Sequence, residues 1–87
     1  MSSVVTGISF HTGNSDQLAT GSLDKIIRIW SIKHKTVTDW VGVKDVISAM
    51  QYSLDGERLI VGTLKGLILV YDTTNKLMQI GKVVVKN

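Results

Sequence analysis

One half of this chain can be laid over the other, and that repetition limits its fold more than any other feature. Val5-Thr6-Gly7-Ile8-Ser9-Phe10 lies over Ile47-Ser48-Ala49-Met50-Gln51-Tyr52 at a separation of 42 residues. Gly21 over Gly62, Ile27 over Ile68 and Trp30 over Tyr71 are each separated by 41, so the one-residue difference falls in the first turn. Each half reads as four strands. Val4 to Phe10 is rich in β-branched and aromatic residues and ends in a polar turn cluster, His11-Thr12-Gly13-Asn14-Ser15-Asp16. Gln17 to Leu23 and Lys25 to Ile32 meet at a junction short enough for a tight hairpin, and Thr36 to Val41 follows. The order returns as Val46 to Ser53, Arg58 to Leu64, Leu67 to Thr73 and Lys76 to Val85, with turns at Leu54-Asp55-Gly56-Glu57 and Lys65-Gly66. No segment sustains an apolar period of 3.6 residues, so no helix is expected. The expected class is all-β, in two four-stranded antiparallel units, residues 1–44 and 45–87.

A repeat near 41 residues with four strands matches the blade of a β-propeller, for which about 40 to 45 residues is usual. Face assignment by strict alternation leads to the same architecture. Val4, Ile8 and Phe10 are expected on one side of the first strand and Val5 on the other; Leu59 and Val61 oppose Ile60 and Leu64; Leu67, Leu69 and Tyr71 oppose Ile68 and Val70. A sheet that is apolar on both faces must be covered on both, and in a propeller each blade is covered by its two neighbours. Two blades cover each other on one face apiece. Two apolar faces are therefore expected to stay open, to be covered by something outside these 87 residues: missing blades of a longer chain, or further copies of this one.

Composition closes several other routes to stability and function. The absence of cysteine excludes disulfides, and with His11 and His34 the only histidines a four-ligand zinc site is not expected. The longest uninterrupted apolar run, Leu67 to Tyr71, is far below the roughly 20 residues of a membrane helix. The start, Met1-Ser2-Ser3-Val4-Val5, has no basic region followed by an apolar core, so the expected setting is cytoplasmic, with nuclear as the alternative. Ten Lys and Arg against seven Asp and Glu give a net charge of +3, and the basic residues are interleaved with acids rather than gathered in a block. Lysines that keep a strand-rich surface soluble account for this better than a nucleic-acid footprint does.

Gly21-Ser22-Leu23-Asp24, Arg28-Ile29-Trp30, Tyr52-Ser53-Leu54-Asp55-Gly56, Gly62-Thr63-Leu64-Lys65-Gly66 and Tyr71-Asp72 resemble the corresponding stretches of two WD40 repeats, over almost the whole chain. The resemblance implies two blades of a WD40 β-propeller, a partial propeller. It also implies a hydrogen-bonded tetrad in each blade, made of a turn Asp, a Ser or Thr on the second strand, a Trp on the third and a His before the first. Asp24, Thr20 and Trp30 match three of those positions, and the fourth falls on Met1. In the second unit Gly42 is the glycine of the expected Gly-His pair but Val43 replaces the His, and Val61, Lys65 and Tyr71 replace the other three. That blade is expected to rest on apolar packing. The run from Val4-Val5-Thr6 through Gly21-Ser22-Leu23-Asp24 to Val61-Gly62-Thr63 and Tyr71-Asp72-Thr73 is similar to cytosolic WD-repeat proteins that bind Rab GTPases on recycling endosomes, which implies a small GTPase among the candidate partners.

No catalytic constellation is legible. Gly62-Thr63-Leu64-Lys65-Gly66 bridges two strands and leads into no helix, so it lacks the phosphate-cradling context of a P-loop. The serines have no strand-to-helix elbow. His11 and His34 are expected as surface turn residues. The chain is expected to be a non-enzymatic interaction scaffold without a cofactor. Its partner contacts are expected in the loops of one rim, at Leu23, Lys44, Asp45, Leu64 and Lys65. Trp40 has two expected roles: an exposed interface anchor, or, the favoured one, a residue packed against the next blade. Two rivals stand beside the scaffold. One is a module for nucleic acid or anionic lipid; the other is a truncated product with no autonomous role, whose uncovered strands Arg58 to Leu64 and Leu67 to Tyr71 would aggregate.

Overall fold

The computed structural model describes residues 3–85. Its eight strands are β1 (Val5–Phe10), β2 (Gln17–Ser22), β3 (Ile26–Ser31), β4 (Thr36–Gly42), β5 (Ile47–Tyr52), β6 (Arg58–Thr63), β7 (Leu67–Asp72) and β8 (Met78–Val84). They form two antiparallel sheets in the orders β1-β2-β3-β4 and β5-β6-β7-β8, each a meander with neighbours in sequence paired. The sheets stack into a slab of 41 × 31 × 16 Å, with β5 lying against β1 and β2.

The registers fix which side chains share a face. In the first sheet Gly7↔Gly21↔Ile27↔Val41 and Ser9↔Ala19↔Ile29 lie on one face; Ile8↔Thr20↔Arg28↔Trp40 and Phe10↔Leu18↔Trp30 lie on the other. The first set meets the second sheet, where Met50, Tyr52, Leu59, Val61, Leu69 and Tyr71 share the facing side. The alternation expected for Val5 fails. A β-bulge between Val5 and Gly7 adds one residue to β1 and pairs Val5 with Ser22, which turns Val5 to the same side as Ile8 and Phe10. The same bulge recurs between Ile47 and Ala49 in β5, and there it turns Ile47 inward, where it is fully buried.

That buried isoleucine explains a glycine. A Cβ on Gly21 would lie 2.7 Å from Ile47 Cγ2 and 2.8 Å from its Cδ1, so Gly21 is the floor of the socket that Ile47 fills. A Cβ on Gly7 would similarly lie 2.9 Å from Met50 Cγ. Polar contacts pin the sheets in register around this apolar seam. Ser9 Oγ accepts from Tyr52 N–H at 3.0 Å, Gln17 Nε2 donates to the Tyr52 hydroxyl at 3.1 Å, and Asp39 Oδ2 accepts from Leu77 N–H at 2.7 Å. His11 is no simple surface residue. Its Nδ1 accepts from the N–H groups of Gly13 and Asn14, and its ring stands 4.8 Å from that of Tyr52.

Candidate functional site

The turns sort onto two rims. The β2–β3 turn, the β4–β5 connection and the β6–β7 turn lie along one, tied together by Val43 N–H to Lys25 carbonyl at 2.8 Å and Leu64 N–H to Val46 carbonyl at 3.0 Å. Leu23, Lys44, Leu64 and Lys65, the expected contact candidates, are exposed on this rim, with Leu64 69% exposed. It adds Lys25, which the sequence did not single out. Lys25 adopts φ +66°, so the turn is tight and its side chain stands on the outer surface.

Asp45 does not belong to that exposed group. It is only 6% exposed, and its carboxylate accepts from the N–H of Val46 and, at 2.7 Å, from that of Lys65. Burial pushes its pKa up. The Lys65 and Val46 amides, the Thr63 hydroxyl and the Lys65 charge outweigh this and hold the carboxyl below its ordinary value. The physical reason for the inward turn is that a tight β6–β7 turn leaves a backbone N–H with no ladder partner, and Asp45 supplies one. Asp45 is thus a brace under the rim rather than a contact on it. The second blade has a polar anchor as well as its apolar packing.

In the first blade the expected tetrad is divided. Trp30 Nε1 donates to Thr20 Oγ1 at 2.9 Å, which satisfies a partly buried indole. Asp24 is joined to neither. Its carboxylate accepts from Ser22 Oγ, from Ile26 N–H, and from Arg28 in an ion pair of 2.9 Å. The position of the bridging His falls on Met1, outside the described residues. The Arg28 guanidinium, followed by the Ser22 hydroxyl, holds the Asp24 carboxyl down to about 2 from an ordinary 3.8. A lowered folded-state pKa contributes stability that is present above the unfolded value and is lost as pH falls through the folded one. Asp24→Asn is therefore expected to lower stability at neutral pH and to make its decline shallower between pH 3.8 and about 2. Urea midpoints measured at pH 6, 4 and 2.5 check this; a variant whose decline parallels that of the natural chain would dismiss the Asp24 pair as a source of acid lability.

Trp40 lies on the face of the first sheet turned away from β5–β8, paired with Arg28, and is 64% exposed. It does not pack against β5–β8, which rest on the opposite face. The second-blade counterpart of Trp30, Tyr71, is 2% exposed in the seam, where burial pushes its phenol pKa up. Among the described residues no group of three or more His, Asp or Glu side chains is placed to hold a metal ion, and no helix is long and apolar enough to cross a membrane.

Residues 2–31 match the family described as WD domain, G-beta repeat. A WD repeat-containing protein of Schizosaccharomyces pombe, itself uncharacterised, is 35% identical over 72 residues, which cover 83% of this chain and 12% of that protein. The chain belongs to the WD40-repeat family. WD repeat-containing protein 44 of Xenopus laevis is likewise 35% identical, over 79% of this chain and 8% of its own length. This WD40 chain thus spans about a tenth of the curated relatives it matches. Among solved structures, U3-55K superposes with a TM-score of 0.88 at 17% identity, over the whole of this chain and 28% of that one. Sqt1 of Saccharomyces cerevisiae superposes at 0.85 and 13%, over 97% of this chain and 24% of its own. At such identities the likeness is one of fold, and it makes the two sheets two adjacent WD40 blades.

Proposed function

We propose that these two WD40 blades are a non-enzymatic scaffold that binds another protein through the rim carrying Leu23, Lys25, Lys44, Leu64 and Lys65. The observation that carries this reading is the combination of exposed leucines and lysines on turns whose backbones are braced from beneath by Asp24 and Asp45. A braced turn loses little conformational freedom when a partner docks, so contacts made there are not offset by ordering costs. Two leucines among three lysines suit an apolar protein surface bordered by acids. Three lysines on turns suit a nucleic-acid backbone less well, since among the described residues the turns of this rim carry no aromatic side chain for bases to stack on. A small GTPase in the cytoplasm is the finer reading, supported by the resemblance of residues 4–6, 21–24, 61–63 and 71–73 to Rab-binding WD-repeat proteins.

A photo-crosslinking residue placed at position 64 tests the rim in cells, with position 54 as control. Leu54 is 96% exposed on the opposite rim. Discrete adducts from position 64, lost on Lys44→Glu with Lys65→Glu and absent from position 54, are expected. Equal adducts from both rims would overturn the assignment. Adducts that form only with the GTP-bound state of a GTPase would establish the finer reading, and adducts indifferent to nucleotide would reject it.

A further inference from the structure

Where the second blade lacks its tetrad, the chain has a cavity. In the first blade Trp30 Nε1 donates to Thr20 Oγ1; 41 residues on, Tyr71 stands at the place of Trp30 and Val61 at that of Thr20. The tyrosine hydroxyl therefore has no acceptor at that position. Among the described residues nothing else hydrogen-bonds to it, although Tyr71 is 98% buried, and a buried hydroxyl without a partner costs stability. The sheets are in close contact along β1, β2 and β5, and away from that line Tyr71 lines a cavity of about 280 Å³. Leu67 and Leu69 from β7 and Val43 from the β4–β5 connection make its walls apolar. The cavity thus lies between the two blades and does not depend on what covers their outer faces.

The charges around this cavity say what fits it. Lys44 and Lys82, both exposed, line its edge, and Lys82 is paired with Leu69 in the β7–β8 register. The Asp45 carboxylate lines it as well, with its oxygens engaged at 2.7 Å by the N–H groups of Val46 and Lys65. Two lysines against one carboxylate leave a single positive charge in excess, and the Tyr71 hydroxyl is a donor without an acceptor. One monoanionic acceptor answers both. A carboxylate meets that description, whereas a doubly charged phosphate would bring more like charge against Asp45. The volume, just under the roughly 300 to 1,000 Å³ of pockets for drug-sized ligands, suits one side chain rather than a cofactor. We propose that the cavity receives one Asp or Glu side chain of a partner protein, its carboxylate accepting from the Tyr71 hydroxyl and pairing with Lys44 and Lys82. That the acid is carried by a protein rests on the rim reading, through Lys44, which belongs to both rim and cavity.

The hydroxyl and the lysines contribute differently. A bond from a buried hydroxyl to a carboxylate is charge-assisted and little screened, whereas exposed lysines act through a field that salt weakens. Random peptides displayed on phage, selected on the full chain and then titrated by fluorescence anisotropy, test the proposal. The enriched peptides are expected to share an acidic position. Replacing that acid by its amide is expected to weaken binding roughly tenfold, and Tyr71→Phe to do the same at low and high salt alike. Lys82→Glu is expected to weaken it about threefold or more at low salt and less at high salt. Tyr71→Phe removes a hydroxyl that bonds to nothing, so its melting temperature is expected to be no lower than that of the natural chain. A lower one would mean that the hydroxyl already has a partner within the fold, and would overturn the proposal. So would a selection that enriches no peptide, enriched peptides with no shared acid, binding that Tyr71→Phe leaves unchanged, or a preference for phosphoserine over the acid. Peptides weakened by Leu64→Ala but not by Tyr71→Phe would keep the rim and dismiss the cavity; the opposite pattern would keep the cavity and dismiss the rim leucine.

Discussion

Ile47→Ala is expected to cost about 3 kcal/mol of folding stability, within the roughly 2 to 5 kcal/mol of large-to-small substitutions at fully buried aliphatic positions. Ile47 is fully buried, and its side chain fills the space above Gly21, so truncation leaves a void between two rigid sheets that have little freedom to collapse into it. The reverse error is expected from Gly21→Val, which overpacks the same socket at a cost of about 2 kcal/mol. The double variant gives the sharper test. Valine at position 21 occupies space that alanine at 47 vacates, so the combined loss is expected to fall short of the sum by about 1 kcal/mol, the coupling typical of residues in contact. Urea unfolding followed by tryptophan fluorescence measures all three. An Ile47→Ala loss no greater than that of the exposed Val83→Ala would mean that the two sheets do not unfold as one unit.

Gly56→Ala is expected to cost about 2 kcal/mol, from two sources acting at one atom. Gly56 holds φ +74°, a left-handed conformation that costs an L-residue roughly 1 to 2 kcal/mol. Its added Cβ would also run into the His11 ring, which lies between this turn and Tyr52. Displacing that ring breaks the lower rim contact between the blades, to which Thr12 Oγ1 also contributes by donating to the Ser53 carbonyl at 3.0 Å. Gly13→Ala is the control: its Cβ would meet His11 only at 3.7 Å, and its φ is not in the left-handed region, so almost no change is expected. Thermal melts of the two variants side by side decide the matter. Equal melting temperatures would dismiss His11 as a spacer between the blades.

The strands, their antiparallel order and the open faces were legible because period-two alternation and tight-turn residues are local signals, repeated twice. What alternation cannot show is an inserted residue. The bulge at Thr6 leaves no mark in Val5-Thr6-Gly7 beyond a permissive glycine, and so strict alternation puts Val5 on the wrong side. Asp45 looked like a rim contact because charge in a loop is ordinarily solvated; only the fold shows that the amides of Val46 and Lys65 converge on it. His11 reads as a surface turn residue, and Asp39 and Gln17 stand in no motif, for a related reason. Each serves a contact with a partner 35 or more residues away, and no local pattern encodes that distance. Trp40 shares a side with Arg28 rather than with Ile27, and which sheet it faces depends on pairings that no local pattern shows.

The like orientation of the two bulged first strands carries a consequence for how such genes lengthen. Since the one junction in the chain sets the Ile47 side of the second unit on the Gly21 side of the first, copying a whole 41- or 42-residue unit in frame would add a blade that carries both kinds of surface. A copy of half a unit would set two unlike surfaces against each other. Growth by whole modules is thereby built into the geometry of a single glycine-floored notch.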